Sequence, residues 1–196
     1  METRTGRKEL SHDRILETAA RAIRRAGFHG VGVADIMKAA GLTHGGFYAH
    51  FASRDALLAE ALQRAGQEGA DSLARGIASR EARGASRLRA LVQSYLSERH
   101  LESTENGCPV AALVSEMPRQ APEVRQAAAQ RVLGLVDTVR RALPPHADAD
   151  SASVIASHLV GALQLARAVG NTAEGRALLA ASRRALLAQY DAAPPT

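Results

Sequence analysis

The sequence predicts an all-α protein, and three observations carry that prediction. Alanine, leucine and arginine dominate a 196-residue chain that is 46% hydrophobic and only 3% aromatic, a supply of good helix formers with few β-branched runs. Apolar residues recur at helical spacing in segment after segment, as they do where one face of a helix is buried. No segment alternates apolar and polar residues in the pattern of a half-buried strand.

Residues 1–10 are polar and carry Arg4, Arg7 and Lys8, which reads as a flexible arm, either solvated or reaching phosphates or a minor groove. Ser11 or His12 opens the first helix, which runs to about Ala26 with Ile15, Leu16, Ala19 and Ile23 on one stripe. Arg21, Arg24 and Arg25 fall on its wet side. Gly27 ends the helix, Phe28 can fold back onto the stripe, and the loop His29-Gly30-Val31-Gly32 follows.

Val33–Phe51 organises the rest of the chain. Val33, Ile36, Met37 and Ala40 make a short apolar-periodic helix, and Gly41 can take the left-handed conformation that ends it. Leu42 packs inward, and the Thr43 hydroxyl is placed to cap a second short helix that carries His44, Tyr48 and His50. Two short helices around such a turn form a helix-turn-helix, whose second helix reads a DNA groove.

After Phe51, Ser53 is a good N-cap and Asp55 suits the first turn of a long helix buried along Leu57, Leu58, Ala61 and Leu62. Gly66, Gly69, Gly76 and Gly84 weaken this region, so the boundary between modules is expected there. Leu88, Leu91, Val92, Tyr95 and Leu96 mark a helix over Arg87–His100. A polar stretch from Glu102 to Gly107 follows, and Cys108-Pro109 then starts a shorter helix to about Met117. Pro118 and Pro122 bracket a break, Glu123–Leu143 continues as a long helix, and Pro144-Pro145 stops it. Two further helices, about Ser151–Val169 and Ala173–Tyr190, flank Gly170-Asn171, and Asp191–Thr196 is a tail. Rich in alanine and leucine, these two helices suit close packing against a second copy, a symmetric dimer through a four-helix interface, the alternative being that they only complete the core of one chain.

The formal net charge is +5, and residues 1–66 hold ten Lys or Arg against seven Asp or Glu, so +3 of it lies in that first third. This permits a nucleic-acid partner. The single cysteine, Cys108, cannot form an intrachain disulfide, and no apolar leader or membrane-length apolar run is evident, so a cytoplasmic chain with no membrane partner is expected. Neither a metalloprotease HExxH, a Walker loop, a GxSxG elbow nor paired cysteines occur, and the seven histidines are scattered without metal-ligand spacing. The expectation is therefore no enzyme, no cofactor and no metal. A helical interaction module that has lost DNA binding is the alternative to a DNA-binding protein.

The residues Gly27-Phe28, Val33-Ala34-Asp35-Ile36, Ala39-Ala40-Gly41-Leu42-Thr43, Gly45, Phe47-Tyr48, His50-Phe51 and Ser53-Arg54-Asp55-Ala56-Leu57 resemble the DNA-binding domain of the TetR family of repressors. The match is dense over Ser11–Leu62; beyond it, only length and helix count are similar. The resemblance implies about nine helices: a helix-turn-helix domain at 11–52, a connecting helix at 53–80, and a ligand-binding and dimerisation domain at 81–196. It implies a ligand-responsive regulator, most readily a repressor, that binds a palindromic double-stranded DNA operator as a homodimer.

By the same resemblance Thr43, Tyr48 and His50 contact phosphates or base edges, and Arg54 reaches a phosphate. Phe47 and Phe51 are core. His44 is the expected base reader, with a phosphate contact as the alternative, because Gly45 and Gly46 offer no side chain beside it; the two glycines either let the backbone approach the groove or simply make a weak helix held by packing. The chain departs from the family at Val31 and Gly32, where Thr and Ser are common, so a phosphate contact there falls to backbone amides. Tyr95, Leu113, Met117, Leu133, Val136 and Arg140 are candidate lining for a small-molecule effector. Cys108, before Pro109 at a helix start that favours a thiolate, is either an electrophile or oxidant sensor or a small buried hydrophobe.

Overall fold

Helix-forming composition becomes helix along most of the chain. The computed structural model describes residues 4–191 apart from His146 and Ala149. Among the described residues there are nine α-helices and no strand: α1 Arg4–Ala26, α2 Val33–Ala39, α3 Arg54–Glu81, α4 Arg87–Tyr95, α5 Glu98–Glu102, α6 Pro109–Leu113, α7 Pro122–Arg140, α8 Ser151–Val169 and α9 Ala173–Tyr190. Three short 3₁₀ helices, His44–Ala49, Thr104–Asn106 and Met117–Arg119, interrupt them. The last two α-helices have the bounds that periodicity predicts.

The first helix begins earlier than expected. Arg4–Leu10, an arm by composition, forms the opening turns of α1, since Arg, Lys, Glu and Leu are good helix formers, no proline interrupts them and they outweigh the one glycine, Gly6. Ser11 does not cap; its hydroxyl donates back to the Arg7 carbonyl at 2.9 Å. Residues 1–3 of the predicted arm, and those of the predicted tail beyond Asp191, lie outside the described residues.

The chain packs as two compact units. One comprises the chain up to Gly69 together with Glu105–Arg131, and the other Ala70–Thr104 together with the chain from Val132. The division falls inside α3, after Gly69. Contrary to the sequence expectation, it groups residues 105–131 with the helix-turn-helix. Ile15, Ala19, Ala20, Ile23, Phe28, Met37, Phe47, Phe51, Leu57, Leu58 and Leu62 form the core of the first unit, each at most 3% exposed.

The glycines of α3 do not break it, because they are places of close approach. A Cβ at Gly66 would stand 2.3 Å from Arg131 Cδ, and one at Gly69 would stand 3.2 Å from the Gly107 carbonyl oxygen. Arg24 is also corrected. It is only 2% exposed, and its guanidinium donates to Ala65 O (3.1 Å) and Gly107 O (3.4 Å) and pairs with Glu68 at 2.6 Å. Segment 105–131 covers that side of α1, which helical periodicity alone assigns to water.

In the second unit α8 packs along α9, α4 against α9, and α5 against α8. The helix expected over 87–100 stops at Tyr95, and Ser97 starts α5 by accepting the His100 N–H at 3.2 Å. With a mean hydropathy of 1.4 over its apolar window, α8 is long and apolar enough to cross a membrane by length and composition alone, although Gln164 and Arg167 interrupt its apolar run. Seven of its residues are nevertheless buried in the chain, and its Arg167 donates to the His100 carbonyl at 2.7 Å. Packing as a core helix accounts for its composition.

Two helix ends rest on left-handed glycines. Gly41 (φ +69°) follows α2, where Leu42 N–H reaches Met37 O and Gly41 N–H reaches Lys38 O, closing a Schellman motif. Gly27 (φ +78°) follows α1. A Cβ at Gly41 meets nothing within 4 Å, so Gly41→Ala is expected to cost only the left-handed strain, about 1 kcal/mol. At Gly27 the Cβ would lie 2.5 Å from Glu116 Oε1, so Gly27→Ala should cost more, about 2 kcal/mol or above. Urea melts check the ranking; equal midpoints would contradict it.

Candidate nucleic-acid interface

The recognition segment follows from its glycines. Two adjacent glycines in six residues give a weak α-helix former, and His44–Ala49 winds as a 3₁₀ helix. That winding changes the cap. Gly46 N–H bonds to the Thr43 carbonyl at 3.1 Å, so the hydroxyl makes no cap bond, contrary to the sequence expectation. Phe47 points inward beside Phe51, their rings stacked with centroids 5.7 Å apart, and this anchors the short helix to the core.

What remains outside is the reading face. Thr43, His44 and Gly45 are exposed, Gly46 is half-buried, and Tyr48 is 75% exposed with its ring edge-on to Phe47 at 5.2 Å. A Cβ at Gly45 would meet nothing within 4 Å, so a flat, side-chain-poor stretch of backbone lies between His44 and Tyr48. The structure thus brings Thr43, His44, Gly45, Gly46 and Tyr48 onto one open segment.

His50 and Arg54 are placed differently. His50 is half-buried next to α1, with its ring centroid 6.0 Å from His12 and its Nδ1 enclosed without a hydrogen-bond partner among the described residues. Burial, and after it the charges of His12 and Lys8, hold its imidazole below the ordinary value. His12 stacks on Phe51 (4.7 Å) and bonds Glu60 through Nε2 at 3.0 Å. The half-buried Arg54 turns back into the head: its Nη2 donates to the carbonyls of Phe28 and, at 3.4 Å, Val31. The loop before α2 uses this guanidinium because its free carbonyls lie beside the start of α3. As predicted, Ser53 Oγ accepts the Ala56 N–H (3.0 Å) and caps α3.

The expected effector residues are divided between the units. In the first, Cys108 is half-buried at the N-cap of α6, making no side-chain cap bond, while Leu113 and Met117 are buried. In the second, Tyr95 is buried and Val136 half-buried. Leu133, at 67% exposure, and Arg140, paired with Asp137 at 2.6 Å, stand in solvent on α7. A period-based reading of α7 cannot tell its outward face from a cavity wall, and these two are corrected out of any enclosed lining. Sequence reasoning also misses Glu116, which accepts the Phe28 N–H at 3.0 Å across 88 positions. No local pattern signals such a contact.

An all-helical chain whose N-terminal part holds a short, exposed recognition helix on a packed aromatic core is, by class, a helix-turn-helix DNA-binding protein. The profile describing bacterial regulatory proteins of the tetR family matches residues 15–61, and that of the tetracyclin repressor-like C-terminal domain matches residues 84–182. An uncharacterized helix-turn-helix type transcriptional regulator of Mycobacterium tuberculosis is 30% identical over 167 residues, which cover 79% of this chain and 83% of that one. Among solved structures, the reduced form of E. coli NemR superposes with a TM-score of 0.78 at 21% identity, covering 95% of this chain and 99% of NemR. A TetR-family regulator from Agrobacterium tumefaciens gives 0.74 at 22% identity, over 93% and 98% of the two chains. The chain belongs to the tetR family of bacterial transcriptional regulators; proteins of this family are regulators rather than enzymes.

Proposed function

We propose that the chain binds a palindromic operator as a homodimer, represses transcription by doing so in the cytoplasm, and is released by a small molecule or by modification of Cys108. The observation that carries this reading is the open face Thr43, His44, Gly45, Gly46 and Tyr48 on a segment whose Phe47 is fully committed to the core. A flat backbone lets the helix approach a major groove, His44 can reach a base edge, and the Tyr48 hydroxyl can donate to a phosphate. Thr43 and His50 serve as anchors.

Dimerisation is supported by a second surface. On α8, Val154, His158, Gly161, Leu165 and Val169 share the outward face, with Leu165 62% exposed. On α9, Leu178, Ala181, Ala185 and Ala188 do the same. Exposed leucine and valine beside small residues suit a close helix-on-helix contact with a second copy. The apolar stripes that periodicity marks on these helices divide: Val154 and Leu178 face outward, whereas Leu159, Leu163, Leu179 and Leu186 are core.

Release needs a ligand that prefers a dimer unable to bind DNA, and a tenfold release corresponds to about 1.4 kcal/mol of that preference. A half-buried thiol at a helix start supports modification of Cys108 as one route, and the fold is shared with E. coli NemR, whose solved structure is of a reduced form. The test begins with DNA selected from a random library by the purified protein, in which a palindrome should emerge. Leu165→Glu would bury a charge in the proposed contact, so sedimentation should show a dimer weakened about a hundredfold or more and operator binding lost in parallel. A variant that stays dimeric, or a monomer that binds the palindrome with full affinity, would sink the reading.

A further inference from the structure

Both backbone polar groups of Phe28 are held, one on each side of its Cα. Its N–H donates to Glu116 Oε2 at 3.0 Å, and its carbonyl accepts from Arg54 Nη2, which also reaches Val31 O. Glu116 is fitted closely, since its carboxylate fills the place a side chain at Gly27 would take. Beside it Gln120 Nε2 lies 3.4 Å from His29 Nε2, and at the other end of the segment Gly107 O, one residue before Cys108, accepts from the buried Arg24. All these groups belong to the first unit. Residues 28–32 lead directly into α2, so whatever fixes the backbone at Phe28 fixes where the helix-turn-helix begins.

We infer that Glu116 and Arg54 form a two-sided clamp on the backbone of Phe28, through which residues 105–131 set the placement of the helix-turn-helix, and that Arg54 acts there as a positioning residue rather than as a phosphate contact. The inference rests on the proposed DNA reading and adds to it the route by which the segment carrying Cys108 governs that surface. A guanidinium already shared between two backbone carbonyls is held in the head by charge-assisted hydrogen bonds, and its loss leaves those carbonyls short of a donor. Removal of the Glu116 carboxylate likewise frees the Phe28 N–H and empties the space beside Gly27.

Salt dependence separates positioning from phosphate contact. A residue that neutralises a phosphate lowers the salt slope of binding by about one per site when removed, whereas a positioning residue leaves the slope unchanged. Binding of the library-selected operator by the full chain is therefore measured across salt concentrations. Glu116→Ala and Arg54→Ala should each weaken it about tenfold at unchanged slope. Glu116→Gln, whose amide oxygen accepts the same N–H, should stay within about threefold of wild type. Arg54→Lys keeps the charge but not the planar fork, and should resemble Arg54→Ala.

A slope reduced by Arg54→Ala, full affinity in Arg54→Lys, or wild-type affinity in Glu116→Ala would overturn the clamp. Amide exchange without DNA tests it independently of the DNA reading. Glu116→Ala should speed exchange at Val33–Ala39 while leaving Ser151–Val169 unchanged, and unaltered exchange in α2 would overturn the clamp even if the wild type selects no DNA.

Discussion

Tyr48→Ala is expected to weaken operator binding about a hundredfold on every operator variant, with the melting temperature unchanged. At 75% exposure the side chain contributes little to the fold, and its ring meets Phe47 only edge-on. A hydroxyl donating to a charged phosphate contributes about 1.5 kcal/mol, and two half-sites in the proposed dimer double it to about 3 kcal/mol, which is that hundredfold. His44→Ala should act differently. It removes the side chain proposed to read a base edge, so the discrimination among half-site variants, worth about 1–3 kcal/mol at a contacted base, should flatten while binding to poor sites changes little. Anisotropy titrations of both variants against single-base substitutions distinguish the two roles. If both lose affinity equally on every sequence, His44 is not the base reader. If Tyr48→Ala alters the ranking of sequences, Tyr48 is not an anchor.

The contrast between these two residues is legible in the amino-acid sequence because it depends on local facts: adjacent glycines, a glycine-ended turn, and Phe47 and Phe51 on one side. Periodicity likewise locates α8 and α9 to the residue, and the Cys108-Pro109 start of α6. The groups that leave no mark in the sequence are those whose role comes from partners far along it. Arg24 reads as solvent-facing until residue 107 is folded against it, and Arg54 as a phosphate ligand until the carbonyls of 28 and 31 are beside it. Glu116 has no signature at all, since a carboxylate on a short helical turn is ordinary until it meets an amide 88 positions away. Leu133 shows the same limit from the other side, because an apolar residue at helical spacing cannot report whether anything packs on it.

Acid should unfold the protein along a curve set largely by His100. This imidazole is mostly enclosed in the second unit, edge-on to the Tyr95 ring at 4.9 Å, with Nδ1 2.7 Å from the Tyr95 carbonyl. Burial drives its pKa down from 6.5 to about 4, the bond to Tyr95 O opposes that shift, and the charge of Arg167 adds to it. In the folded chain the ring is therefore neutral and Nδ1–H donates to the carbonyl. The direction of the linkage follows from proton counts: between pH 4 and 6.5 the unfolded chain binds a proton at this site that the folded chain does not. Stability is thus fully present above pH 6.5, falls as pH drops toward 4, and loses nothing further from this group below that. Between pH 7 and pH 5 the loss comes to about 2 kcal/mol from His100 alone. The lowered pKa of His50 adds to it in the same sense. Urea unfolding at the two pH values measures the sum, and His100→Asn, which keeps a donor for the Tyr95 carbonyl but cannot titrate, isolates the larger part. The variant should be less stable than wild type at pH 7 yet lose about 2 kcal/mol less on going to pH 5. Equal losses in the two proteins would mean that His100 is not held neutral by its surroundings.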